Sequence, residues 1–416
     1  MKKIMIPVFS AFAGYDSQFL ALRRFAKWFN RQHEGECHIE FDLVGWCEND
    51  PCAIISHNAL FPEYKHLHYK DITKVPWHKV KDFKLLIYSS CCQDISGNGK
   101  QAGLAKDSGT RSALIWEILD GIMTRKPQIA ILENVADLCG KSFCNEFCKW
   151  HEAVDAVGYH SCWSTLMASD FEVPQNRDRA FMVSLIDDIK QNISFPKPHP
   201  ERINDVETFL EKGKVDEKYY YPEEEAVRCV VAIYDKKPQD IDGIRIKYHG
   251  ECKEQIVTPT CKCGTHRISP TLLANAGYEK VGYKNFVTTG HFPGPAVLEV
   301  WETTEDVDIP YARYIDMAKE KNDSERKVAN ASEKLVKKQL LELSSNRYFR
   351  LRRLTPCECF KLMGVDKYNI NKLITSGVPE AQLYKQAGNA IVVDVLFNLY
   401  KSIFSDEFLR IVNSYV

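Results

Sequence analysis

The sequence predicts a doubly wound α/β domain accompanied by a second, smaller domain. Three observations lead there. Across residues 1–190, short apolar runs alternate with longer amphipathic stretches, the rhythm of a parallel sheet flanked by helices. After Leu185 the composition turns polar, and Phe195-Pro-Lys-Pro-His-Pro200 forms a proline-rich connector. Regular apolar patterning returns at Arg350, and residues 391–404 are apolar enough to dock as a helix on the first domain. The expected division is a domain at 1–190, completed by 379–416, with the second domain and its hinge at 191–378.

Each element has a local reason. Strands are expected at residues 4–9, 40–46, 84–89, 128–132, 160–166 and 180–185, all short apolar runs. Pro7 falls inside the first, where it removes a ladder donor. Residues 17–33 place Leu20, Leu22, Phe25, Trp28 and Phe29 largely on one side of a helix, with Asp16 or Ser17 as its cap. Residues 112–124 do the same with Leu114, Ile115, Ile118, Leu119 and Ile122. Residues 311–343 read as a charged, solvated helix. Leu354-Thr-Pro356 before an acid reads as a helix start, with Thr355 capping and Pro356 in the first position.

Composition narrows the class. A chain of 416 residues, 44% hydrophobic and 27% charged, is globular and long enough for a sizeable core, which rules out a disordered or collagen-like protein. No window approaches the roughly 18 apolar residues of a membrane span. The start, Met1-Lys2-Lys3-Ile4-Met5-Ile6, runs into a turn without a cleavage site and reads as a strand, not a signal peptide. The net charge of −1 neither demands nor forbids a polyanionic partner. Fifteen cysteines without a secretory signal imply reduced thiols and a cytoplasmic setting.

The residues that carry chemistry sit at strand ends. Phe9-Ser-Ala11-Phe12-Ala13-Gly14-Tyr15 is a strand entering a small-residue turn and then a helix. That arrangement brings backbone close to a ligand and adds the partial positive charge of a helix N-terminus. Alone it reads equally as a tight strand–helix turn. It lacks the Gly-x-Gly-x-x-Gly spacing that an NAD-type oxidoreductase requires. The second strand ends in Val44-Gly-Trp-Cys-Glu48-Asn49-Asp50, and Asp71-Ile72 follows at a third crossover. Taken singly these are surface acids; together with the turn they suggest an adenosyl group at the switch point of the sheet.

Ser89-Ser-Cys91-Cys92-Gln93-Asp-Ile-Ser96 ends an apolar run and enters a loop at 97–111 rich in Gly, Ser and Lys. A cysteine there is placed as a nucleophile under a lid, against the default of an inert buried thiol. Ile129-Ala-Ile-Leu-Glu133-Asn134-Val135 puts a carboxylate and an amide directly on a strand end, where partial desolvation suits the acid to sharing a proton. In Gln175-Asn-Arg177-Asp-Arg179 the two arginines point the same way, toward an anion, a carbonyl-rich base or a pair of surface acids. Arg350-Leu-Arg-Arg353-Leu354-Thr355-Pro356 and Gln386-Ala-Gly388-Asn389-Ala390 close the series.

In this order and spacing the blocks resemble the bacterial cytosine-5 DNA methyltransferases, over nearly the whole chain except roughly residues 200–345. The resemblance implies a Rossmann-like S-adenosylmethionine domain and a small target-recognition domain, with DNA in the cleft between them. It places S-adenosylmethionine at Phe9, Ala11, Phe12, Ala13 and Gly14, with Phe9 near the adenine. Glu48 with Asn49 then meets the ribose, Asp71 and Ile72 the adenine edge, Leu114 the adenine face, and Asn389 with Ala390 the methionine end. The family's Pro-Cys-Gln becomes Cys91-Cys92-Gln93. Gln93 and Ser96 fix the register on Cys92, with Cys91 an open alternative. Two family glycines are Ala11 and Ala13, and an expected arginine is Cys357, which nothing in the sequence explains.

The implied reaction is addition of Cys92 to ring carbon-6 of a flipped cytosine, with Glu133 at N3, Asn134 orienting, and Arg179, backed by Arg177, on the base carbonyl or nucleophile loop. Gln93, Ser96, Arg111, Arg267 and Thr271 are the implied DNA contacts, with Lys100 and Lys106 near phosphate. Implied partners are double-stranded DNA and a cognate restriction endonuclease, for a monomeric, bacterial or phage-encoded protein at the nucleoid. Cys252, Cys261, Cys263 and His266 lack paired zinc spacing and read as reduced thiols, with no metal. Cys139, Cys144 and Cys148 read as helix-packing residues. Two other readings share the scaffold: a tRNA cytosine-5 methyltransferase, whose Cys-Phe-Thr tripeptide is missing here, and a catalytically silent DNA-binding relative, which the intact nucleophile and acid argue against.

Overall fold

The structure, a computed structural model, describes residues 2–90, 94–95, 103–199, 206–212, 215–220, 244–249, 296–302 and 347–404. Lys2, Glu207, 244–249, 296–302 and 347–351 are described by their backbone alone. Cys91, Cys92, Gln93, Ser96, Lys100, Arg267 and Thr271 lie outside the described residues. So do the cysteine–histidine group at 252–266 and the charged stretch at 311–343.

The chain forms two compact units. The larger comprises Met1–Val173, Arg177–Ile203 and Phe360–Val416, and the smaller Pro174–Asn176 and Asn204–Cys359. These boundaries fall at 203/204 and 359/360, against the expected 190/191 and 378/379.

The larger unit is built on a seven-stranded sheet in the order β3-β2-β1-β4-β5-β7-β6. Its strands are β1 (Lys2–Ala11), β2 (Cys37–Cys47), β3 (His68–Tyr69), β4 (Leu85–Ser89), β5 (Ile129–Val135), β6 (Tyr159–Met167) and β7 (Asp178–Ile186). Interior strands of such sheets are covered on both faces and read as unbroken apolar runs. All seven residues of β5 are buried accordingly. Pro7 is tolerated because its carbonyl accepts from Lys84 N–H, one residue ahead of the first β1–β4 pair, Val8 with Leu85. Its missing donor therefore falls where the neighbouring strand has not begun.

One expectation is corrected. The rhythm of the sequence implied a parallel sheet, but β7 runs antiparallel to both β5 and β6. Residues 168–177 join β6 to β7 with only a short 3-10 turn, Ala168–Asp170. A parallel crossover needs a dozen or more residues, so the chain must turn back.

Helices flank the sheet: α1 (Ser17–Gln32), α2 (Pro51–Leu60), α3 (Trp116–Arg125) and α4 (Cys144–Asp155). Following β10 of the smaller unit come α5 (Pro356–Leu362), which crosses the boundary between the units, then α6 (Lys367–Ile374), α7 (Glu380–Asn389) and α8 (Val393–Ile403). Asp16, not Ser17, caps α1: its side chain accepts from Phe19 N–H, while the Ser17 hydroxyl accepts from Ile391 N–H. α8 lies against α1, where Phe25 meets Phe404 and Trp28 meets Phe397 edge-on. Arg24 pairs with Asp394 at 2.6 Å. Lys385 reaches Asp50 and Lys372 reaches the Leu60 carbonyl, tying α7 and α6 to α2.

The smaller unit holds a three-stranded sheet, β10-β9-β8, of β8 (Ile244–His249), β9 (Ala296–Glu302) and β10 (Arg347–Arg353). Beyond β10, Thr355 and Glu358 bond reciprocally, hydroxyl to Glu358 N–H and carboxylate to Thr355 N–H, a capping box at the start of α5. The same carboxylate takes two bonds from the wholly buried Arg352 and one from Glu211 N–H.

Candidate active site

Chain order reverses between β1 and β4, the switch point where α/β sheets place ligands. The turn after β1 is sharp. Phe12, Gly14 and Asp16 have φ of 54°, 59° and 67°, and the Ser89 hydroxyl bridges to the Phe12 carbonyl. Behind the turn, Asp16 holds Ser10, which in turn accepts from Gln18. Gly14 N–H donates to Glu48 Oε2 at 2.8 Å. The other oxygen of Glu48 takes Asn49 and Asp50 N–H, both at 2.8 Å.

Asp71 stands at the end of β3, the next strand out, bonded to the Thr73 hydroxyl and N–H, which hold its carboxyl below the usual range. Glu48 and Asp71 both act on the Cys47 thiol, which burial first, and then these two charges, push up to about 12. Ile72 is buried beside them, and Asn49 is exposed.

The turn, the two acids and a helix N-terminus thus meet at three neighbouring strand ends. As a donor set they suit an adenosyl group: carboxylates for ribose hydroxyls and for an exocyclic amine, and open space at Gly14, where a Cβ would meet nothing within 4 Å. Ala11 and Ala13 are buried, and Leu114 packs half-buried against the same core. Phe9 differs from expectation. Its ring has no exposed surface and sits among Trp77, Phe83 and Tyr69, at 4.9, 5.4 and 6.0 Å between ring centres.

A second group gathers at the ends of β4, β5 and β7. Glu133 pairs with Ser89 across the ladder, and Val135 with Arg179. The Glu133 carboxylate is 7% exposed and lies 3.3 Å from Arg179 Nε. Burial pushes its pKa up, and the charges of Arg179 and Arg177 only partly offset this. A carboxyl so placed can hold its proton at higher pH and share it with a ring nitrogen. Asn134 donates to the Ser90 hydroxyl at 2.6 Å and to the Ser90 carbonyl at 3.4 Å. Ser90 is the last described residue before Cys91.

Arg177 links this group to the end of α7. Its guanidinium is buried and donates to the carbonyls of Gly388 and Ala390, on either side of the exposed Asn389 at the end of α7. One guanidinium nitrogen thus serves a helix C-terminus that leaves carbonyls unpaired, while the charge still acts on Glu133 together with that of Arg179. Cys148 is also corrected: it is exposed, 4.0 Å from Cys144, while Phe147 and Trp150 carry the packing of α4. Cys139 and Cys144 are half-buried. Arg111 is exposed. Among the described residues no His, Cys, Asp and Glu cluster fits a metal ion, and no helix is long and apolar enough to cross a membrane.

The family model for C-5 cytosine-specific DNA methylase matches residues 8–405, through both groups of strand-end residues. The chain belongs to the C-5 cytosine-specific DNA methylases. This methylase is 26% identical to the type II methyltransferase M2.ScrFI of Lactococcus lactis subsp. cremoris, over 97% of the chain and 100% of the relative. It is 27% identical to the type II methyltransferase M.Bsp6I of Bacillus sp. (strain RFL6), over 87% of the chain and 92% of the relative. Among solved structures, Spodoptera frugiperda DNMT2 superposes with a TM-score of 0.60 at 16% identity, covering 96% of the methylase and 100% of that chain. The fold is that of S-adenosylmethionine-dependent methyltransferases, and the methylase acts on DNA cytosine.

Sequence reasoning missed two positions and one long-range contact in this methylase. Ser90 and Asp94 carried no motif signal of their own. The contact of Arg177 with Gly388 and Ala390 spans more than two hundred positions and leaves no trace in local spacing.

Proposed function

We propose that this methylase flips a target cytosine out of duplex DNA, adds Cys92 to ring carbon-6 and directs a methyl group to carbon-5. The observation that carries the reading is the buried Glu133 carboxyl beside Arg179, one strand from the segment that leads into Cys92. Carbon-5 of cytosine is a poor nucleophile until a thiolate at carbon-6 turns the ring into an enamine. Glu133 holds N3 and shares its proton as charge develops there, and Arg179 faces the base carbonyl. Asn134 holds Ser90 and so fixes the approach to Cys91 and Cys92. Loss of the carbon-5 proton and departure of Cys92 restore the aromatic ring.

Glu48 with Asn49 takes the ribose of S-adenosylmethionine, Asp71 and Ile72 the adenine edge, Leu114 an adenine face, and Asn389 with Ala390 the methionine end. Bound there, S-adenosylmethionine supplies an electrophilic methyl group. The turn at Ala11, Phe12, Ala13 and Gly14 frames this pocket, with Phe9 as its packed floor. Gln93, Ser96 and Arg111 face DNA from the loop after the nucleophile. Arg267 and Thr271 read it from a target-recognition domain inside residues 191–378. Type II relatives support a restriction-modification role, with a monomeric methylase marking the sites that a cognate endonuclease cuts.

The test is covalent capture on a duplex carrying 5-fluorocytosine, with labelled methyl incorporation into duplex DNA and into tRNA alongside. The wild type is captured and labels duplex DNA. Cys92→Ser is not captured, yet binds S-adenosylmethionine as the wild type does. Capture of Cys92→Ser, or label in tRNA alone, overturns the reading.

A further inference from the structure

Among the described residues that follow Cys92, Asp94 is tied down through its side chain. Asp94 is 7% exposed, and its Oδ2 accepts from Arg111 N–H at 2.9 Å and Ser112 N–H at 3.3 Å. Those two N–H groups open the 3-10 turn Ser112–Ile115 that leads directly into α3. No side chain at the cap position, Arg111, bonds this helix start. Asp94 caps it from seventeen positions upstream, and its negative charge sits where the helix dipole favours one.

The backbone of Asp94 closes the same joint. Its carbonyl accepts from Gly103 N–H at 2.9 Å, so the chain leaves at 94 and returns at 103 within one hydrogen bond. Neighbours on both sides are nailed into the core, since Ile95 and Leu104 have no exposed surface. A second carboxylate braces the return. Glu146 Oε2 on α4 accepts from Leu104 N–H, and the Trp116 indole donates to the Leu104 carbonyl. Gly103 has φ of 79°, and a Cβ there would stand 2.7 Å from the Glu146 carboxylate. Thr110 completes the knot through the Gly103 carbonyl and Ala113 N–H.

We infer that Asp94 is a positioning residue for the reaction: it locks the chain two residues beyond Cys92 to the start of the helical segment that carries Leu114, with Glu146 as its brace. This deepens the proposed function and rests on Cys92 as nucleophile. The helical segment brings Leu114 to the cofactor wall, and the same segment is the anchor of the nucleophile's strand end. Asp94 therefore ties the chain two residues beyond the nucleophile to the segment that carries Leu114. Such a role shows in kcat, because displacement by about 1 Å costs up to a hundredfold while binding surfaces stay intact.

The experiment measures kcat, the KM for duplex DNA, S-adenosylmethionine affinity and the rate of 5-fluorocytosine capture. Variants are Asp94→Ala, Asp94→Asn, Glu146→Ala and Gly103→Ala. Asp94→Ala lowers kcat and capture rate together by about ten- to a hundredfold, with KM and cofactor affinity held within about threefold. Asp94→Asn keeps an acceptor oxygen and recovers most of the rate. Unchanged kcat in Asp94→Ala, a loss confined to KM, or an Asn variant as slow as Ala overturns the inference. Should Asp94→Ala fail to fold, Glu146→Ala and Gly103→Ala loosen the same joint; wild-type capture rates in both overturn it equally. Capture of the wild type against Cys92→Ser scores the nucleophile separately, so the two readings fail in different arms.

Discussion

Arg177 and Ala390, 213 positions apart, are joined by a 2.7 Å hydrogen bond from guanidinium to carbonyl. A second bond runs from the same nitrogen to Gly388, so one buried cation grips the backbone on both sides of Asn389. Charge also reaches Glu133 from Arg177, which makes this side chain a strut between the acid and the C-terminal motif.

Arg177→Met fills the space but leaves both carbonyls without that donor. Hydrogen bonds to a charged group contribute about 1.5–3 kcal/mol each. S-adenosylmethionine affinity should fall by about tenfold or more as Asn389 loses its fixed position. Titration calorimetry with S-adenosylmethionine checks this, and an unchanged dissociation constant removes Arg177 from the cofactor side.

Glu133 makes a pH-dependent contribution whose sign follows from burial. Its folded pKa is raised, so the protonated form is favoured in the fold. The associated stability is complete below the ordinary carboxylate range and is lost as pH rises through the folded value. Glu133→Gln should therefore melt like the wild type near pH 4 and above it at pH 8. Methyl transfer should meanwhile fall by about a hundredfold or more. Melting curves across pH test the first half, and equal Tm differences at all pH values would refute it.

Among the described residues of the smaller unit, Arg352 and Glu358 form a buried ion pair. Arg352 and Glu358 are wholly buried, 2.7 Å apart, and Glu358 also serves Thr355 and Glu211. Glu358→Ala strands a buried guanidinium and two N–H groups, at a cost of about 3–5 kcal/mol. Glu358→Gln keeps the acceptor oxygen and loses less. Urea denaturation with a probe in the smaller unit measures both. A Glu358→Ala loss no larger than that of a surface substitution would show that the pair adds nothing.

Much of the larger unit was legible because its strands are interior. β1, β4 and β5 show as apolar runs since both faces are covered, and the strand-end position of Glu133 and Asn134 is legible because they follow such a run directly. The direction of β7 was not legible, since periodicity carries no polarity; only the shortness of 168–177 carries it. β3, two residues long, is below any period. The capping role of Thr355 was visible three residues ahead of its acid. Asp94 was not, because its partners lie beyond a loop and are backbone groups that no residue identity announces. Phe9 is legible as part of the first apolar run, but its burial against Trp77 depends on Gly45 leaving room for its ring, a fit that appears only in three dimensions.

The packing of α8 on α1 bears on how the protein is made. Phe25 and Trp28 leave the ribosome more than 360 residues before Phe397 and Phe404, which cover them. At about 5–20 residues per second, the nascent domain waits tens of seconds with that apolar face bare. During this interval it is an obvious client for a chaperone, and the sheet cannot reach its full cooperativity before the closing helix arrives.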